Sequence, residues 1–162
     1  GIMTSRLLVD KIEGKATSGI VQMPAGHIIQ VVETSNTTSY VTTSTSITAS
    51  GLTVSLTPKF QNSKFIVTLN GGSMEFHTGA SHNIQAHMYR QIASGGYSDI
   101  GKMYHQTYGA TFGHSQNGMI IDSPNTTSTI YYQPYYKSSN GNGVYLNGNT
   151  CYITLQVMEV AV

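Results

Sequence analysis

Apolar and polar residues alternate strictly in "LTVSLT" (52–57), where Leu52, Val54 and Leu56 share one face and Thr53, Ser55 and Thr57 the other. Alternation with period two predicts a strand with one buried face, and Pro58 ends it. "KFIVTLNGG" repeats the pattern with Phe65, Val67 and Leu69, after which Gly71-Gly72 permits a bend or bulge. In "HNIQAHMYRQ" the inward row is Ile84, Ala86 and Met88, the outward row is Gln85, His87, Tyr89 and Gln91, and Arg90 falls on the apolar side. "CYITLQVMEV" supplies a last inward row of Cys151, Ile153, Leu155 and Val157 that ends in Glu159. A lone guanidinium on a core row is costly unless a carboxylate meets it. Arg90 and Glu159 are therefore expected as neighbours at one end of the core or in a subunit interface.

Weaker patterns complete the chain. "HIIQVVE" (27–33) predicts a short buried strand and "SYVTTSTSIT" (39–48) a strand with a polar face. In "IYYQPYY", Tyr132 and Tyr136 share a face with Ile130 and are expected in the core or an interface, while Tyr131 and Tyr135 are outward. Asn140-Gly141 predicts a hairpin turn. Residues 93–118 show little periodicity and many glycines, which predicts a long irregular, functional stretch. Residues 1–25 lack a consistent period and predict an extended arm, leaving 26–162 as one domain. About nine or ten short strands with no helical period predict an all-β, antiparallel two-sheet sandwich or jelly roll.

Composition narrows the chemistry. With a net charge of +1 and only 9% charged residues, the chain lacks the basic stripe that neutralises phosphates, so nucleic acid is not expected as a partner. No apolar run approaches the ~20 residues of a membrane helix, and no membrane insertion is expected. The single cysteine, Cys151, excludes an intrachain disulfide and a cysteine-based zinc cluster, and its row predicts a small core hydrophobe. His77, His82 and His87 recur every five residues, an interval that diverges on a strand and on a helix alike, so no metal site is expected from them. "GHSQNG" (113–118) has Asn117 where a nucleophile elbow requires glycine. No phosphate-binding or zinc-protease motif occurs. Neither a catalytic residue nor a cofactor is expected, and seven scattered carboxylates give a glycosidase pair no support.

Residues 93–118 carry a different signal. Tyr97, Tyr104, His105, Tyr108, Phe112 and His114 stand among Gly, Ser, Asn and Gln. That palette resembles a paratope, in which tyrosines supply rigid amphipathic contact area and small polar residues adapt their hydrogen bonds. Aromatic faces also stack on the apolar face of a sugar ring. These six residues are the expected ligand-binding set.

The phrases "LLVDKIEG", "MPAGHIIQVV", "SITASGLTVSLTPKFQNSKFIVTLNGG" and "IDSPNTTSTIYYQPYYKSSNGNGVYLNGNTCYITLQVMEV" together resemble a family of virion-associated fibre and fibre-tip proteins of tailed phages, particularly marine ones. The similarity runs along almost the whole chain and is weakest over 73–118. It implies a structural role on the virus particle, as a tail or head fibre, with host-surface attachment. The order of strands also looks like the jelly roll of C1q and tumour necrosis factor, which implies a homotrimer. The combined expectation is a non-enzymatic virion protein whose arm binds other virion proteins and whose tyrosine-rich stretch meets a host-surface glycan or protein. The alternative is a capsid or tail decoration protein that cements the particle without receptor binding. An enzyme trimming host polysaccharide would require a clustered carboxylate pair.

Overall fold

A computed structural model describes residues 24–76, 82–108 and 112–162. Eleven strands follow in chain order: β1 (Ile28–Asn36), β2 (Tyr40–Thr42), β3 (Thr48–Ala49), β4 (Val54–Leu56), β5 (Lys64–Phe76) and β6 (His82–Ile92), then β7 (Ser98–Tyr108), β8 (Phe112–Asp122), β9 (Ile130–Ser138), β10 (Val144–Leu146) and β11 (Ile153–Val160). The expected arm lies almost wholly outside the described residues.

The strands form two antiparallel sheets. In the first, β5 pairs with β8 on one side and with β11 and β10 end to end on the other, while β1 and β2 continue outward from β11 and β10. In the second, β9 pairs with β3 and β4 on one side and with β6 on the other, and β6 pairs with β7. Six of the ten connections cross from one sheet to the other, and β6 and β7 are joined as a hairpin within the second. This is a jelly-roll sandwich.

The inward rows are where alternation places them. Leu52, Val54, Leu56, Phe65, Val67, Leu69, Ile84, Ala86, Met88, Ile153, Leu155 and Val157 are buried together with Ile130, Tyr132 and Tyr136. Each fully buried aliphatic or Phe side chain contributes roughly 1.5–3 kcal/mol relative to exposure, so these rows are what close one sheet over the other.

Gly71 and Gly72 form the expected bulge, with φ of +76° and +65°. The register of β5 shifts there, and its partner changes from β11 to β10. Gly72 N–H donates to the Tyr152 carbonyl at 2.8 Å, and a Cβ on Gly71 would collide with that same oxygen. Gly71→Ala is accordingly expected to lower the unfolding free energy by about 2 kcal/mol, with an unchanged m-value in urea denaturation.

Five expectations are corrected. Residues 93–118 are mostly strand, because β7 and β8 run through them. Their glycines are packing holes: a Cβ on Gly101 would strike Ile120, and one on Gly118 would come within 2.9 Å of Met103 Cε. Close approach of β7 and β8 across the sandwich thus selects glycine where the sequence reads as loop. Cys151 is exposed, since β11 starts only at Ile153. The strand in "HIIQVVE" lies at a sheet edge with Ile28 and Val31 exposed. Asn140-Gly141 joins β9 to β10 across the two sheets, so it closes no hairpin.

The fifth concerns Arg90. Its Nη1 donates to Asp122 Oδ1 at 2.6 Å, and Glu159 is held elsewhere. In the first sheet Asp122 and Glu159 flank Phe65 in register, two strands apart, and β6 reaches only the nearer carboxylate.

Candidate functional site

The solvent face of the second sheet is built by β6, β7 and β9. Alternation turns Gln85, His87, Tyr89 and Gln91 outward on β6 and Tyr131, Gln133, Tyr135 and Lys137 outward on β9. The register sets Gln91 beside Tyr131, Tyr89 beside Gln133, His87 beside Tyr135 and Gln85 beside Lys137. On the other side of β6, Tyr89 faces Asp99, His87 faces Lys102 and Gln85 faces His105. Irregularities in the β6–β7 register keep Asp99, Lys102 and His105 on this face although they are three residues apart.

Diagonal neighbours on the pleat make the central contact. The rings of Tyr89 and Tyr135 stack with centroids 3.9 Å apart and an interplanar angle of 18°. Tyr97, from the β6–β7 hairpin, leans on Tyr135 at 5.8 Å and 47°. Beside them His87 Nδ1 lies 2.7 Å from Asp99 Oδ2, while Asp99 Oδ1 accepts the Gly101 N–H at 2.9 Å. A carboxylate only accepts, so Nδ1 carries the hydrogen. Burial, and then the Asp99 charge, hold the Tyr89 phenol above its usual pKa. Burial, followed by Tyr97 and Tyr89, does the same to Tyr135. Both hydroxyls therefore stay protonated donors at neutral pH.

The six expected ligand residues are dispersed. Tyr97 and His105 lie on this face. Tyr104 packs against the core. His114 is half-buried on β8 in the other sheet, opposite Met74. Tyr108 ends β7 and Phe112 begins β8, and their side chains lie outside the description. Ser115 of "GHSQNG" is in mid-strand on β8. His87, Tyr89, Asp99 and Tyr135 join the face through register. The outward rows of β6 and β9 were readable from alternation; the pairing of those two strands was not.

The described carboxylates each have donors of their own. Asp99 serves His87, Glu33 accepts from Gln156 Nε2, Glu75 accepts from Ser73 Oγ, and Asp122 and Glu159 are buried with full sets of donors. Among the described residues no three His, Cys, Asp or Glu side chains are grouped to hold a metal ion. His77 lies outside them.

The chain matches no protein-family model and no curated protein. Among solved structures it is similar to the CBM22-1 xylan-binding domain of Paenibacillus barcinonensis Xyn10C, at 12% identity and a TM-score of 0.41, covering 87% of this chain and 99% of that one. It is also similar to a chain of infectious bursal disease virus, Gx strain, at 11% identity and a TM-score of 0.36, over 98% of this chain and 47% of that one. The VP2 subviral particle of the same virus gives 13% identity, a TM-score of 0.31, and 99% and 43% coverage. This chain spans less than half of each viral chain. These likenesses concern the course of the strands and assign no residue a role.

Proposed function

We propose that this chain is a structural protein of a phage virion, of tail or head fibre type, that meets the host surface through the outer face of its second sheet. The observation carrying this reading is the Tyr97, Tyr135 and Tyr89 cluster beside the His87–Asp99 pair on a solvent face. Its neighbours, Gln85, Gln91, Lys102 and His105, are partly or fully exposed. A half-exposed aromatic surface ringed by fixed donors and acceptors suits a glycan or a polar protein loop. The resemblance of the chain's phrases to phage fibre proteins supports the virion setting, and Asp99 is the one carboxylate described on this face, where it serves His87, which suits recognition better than hydrolysis by a carboxylate pair. In this reading the ligand is met by Tyr97 and His105 together with Tyr89, His87, Asp99 and Tyr135. A homotrimer would multiply weak single sites through effective concentration.

The test is retention of the purified protein on envelope fractions of the susceptible bacterium. Tyr135→Ala is expected to weaken retention about tenfold, equivalent to ~1.4 kcal/mol, without lowering the melting temperature. No retention of the parent protein at any concentration would favour the decoration reading, in which the chain only cements the particle.

A further inference from the structure

The solvent face of an antiparallel sheet is ordinarily polar. The outer face of the first sheet is not. Its registers align Val31, Met158, Ile66 and Ile121 in one continuous apolar row across β1, β11, β5 and β8. Met119 extends the patch along β8, and Ile28 and Val160, themselves paired, extend it on the other side of the row. Val31, Met119 and Ile121 are 50%, 65% and 63% exposed, so nothing in the chain's described residues covers them.

We infer that this face is an interface between copies of this chain. Its charges argue for that occupant. Lys64 and Glu33 flank the patch, one of each sign, and Glu33 is already engaged by Gln156, so the face is neutral and two copies meet without repulsion. A strongly charged partner would find no complement here. Its size agrees too. Four strands spaced ~4.8 Å apart and three rows spaced ~6.8 Å give about 400 Å² in projection. Two such surfaces bury about 800 Å², the size of a weak, concentration-dependent contact. Seven side chains on it, Ile28, Val31, Ile66, Met119, Ile121, Met158 and Val160, are apolar, and an exposed apolar cluster of this kind is often where soluble proteins associate. The face lies on the opposite side of the sandwich from the tyrosine cluster, so the inference stands apart from the proposed ligand site.

The test is the solution mass of the full chain by light scattering, from micromolar to near-millimolar concentration. An integral multiple of the monomer mass is expected. Ile121→Lys and Met119→Lys, each at an exposed position and each retaining the parent circular dichroism and melting temperature, are expected to weaken association at least about tenfold, ~1.4 kcal/mol. A monomer throughout, or an oligomer whose mass neither substitution alters, would overturn the inference.

Discussion

Glu159→Ala is expected to cost about 4–5 kcal/mol of unfolding free energy. The Glu159 carboxylate is fully buried at the end of β11. Its partners are neutral: Oε1 accepts from Lys59 N–H at 2.9 Å, Phe60 N–H at 3.2 Å and Ser63 Oγ at 2.7 Å, and Oε2 accepts from Gln30 Nε2. Successive backbone N–H groups of the β4–β5 turn thus converge on one anion, a small nest that replaces a counter-charge. Removing the carboxylate strands two backbone donors and a buried hydroxyl, each worth roughly 1–3 kcal/mol when orphaned. Glu159→Gln separates shape from charge. The amide oxygen can keep the three donors of Oε1, and a flipped Gln30 side chain can accept from the new NH₂ at the expense of its bond to the Thr57 carbonyl. The Gln variant is therefore expected to lose only about 1–2 kcal/mol. Urea denaturation of the two variants reads the difference, and equal losses would mean that the charge itself carries the stabilisation.

The strands that alternate cleanly were legible because burial and period are the same fact read twice. Leu52 to Leu56, Phe65 to Leu69 and Ile153 to Val157 all face inward as their spacing dictates. The Gly71-Gly72 bulge was legible for an equally local reason, the left-handed backbone that only glycine adopts without strain. What failed was non-local. Gly101 and Gly118 resemble loop punctuation along the chain, yet they are glycines because Ile120 and Met103 from the opposing strand occupy the space of a Cβ. Cys151 continues the period of β11 on paper, but the chain leaves the sheet before reaching it.

The candidate face divides the same way. Alternation predicted that His87, Tyr89 and Tyr135 point outward, and they do, with Tyr135 half-covered by its stacked neighbour. Nothing in the spacing of residues 82–91 and 130–138 states that β6 pairs with β9, or with which offset. The stack of Tyr89 on Tyr135 is a consequence of that offset alone. The apolar row on the first sheet is hidden in the same manner: its four members are single outward residues on four strands, and each looks ordinary until the registers join them.

Register also decides the second large effect, because it gives Arg90 a different carboxylate from the one its position on the row suggests. Asp122→Ala is expected to cost about 3–4 kcal/mol, which in a domain of this length lowers the melting temperature by roughly 8–14 °C. Asp122 ends β8 in the first sheet, and both its oxygens bridge to the second: Oδ1 accepts from Arg90 Nη1 on β6 and Oδ2 from the Tyr132 hydroxyl on β9 at 2.9 Å. Ser123 N–H adds a third donor at 2.9 Å. Burial first, and then the Asp122 charge and hydrogen bond, push the Tyr132 phenol far above its usual pKa, so it remains a donor at any pH the fold survives. Without Asp122 that hydroxyl is orphaned in the core and the guanidinium, whose Nε has no hydrogen-bond partner among the described residues, is left without its counter-ion. The penalty is therefore mainly that of stranded groups, and removing them should restore stability. Arg90→Met combined with Asp122→Leu and Tyr132→Phe is expected to recover at least half of the loss, since an apolar replacement of a buried ion pair is often neutral or better. If the triple variant is no more stable than Asp122→Ala alone, the bridge contributes attraction between the sheets that apolar packing at this end of the sandwich does not replace.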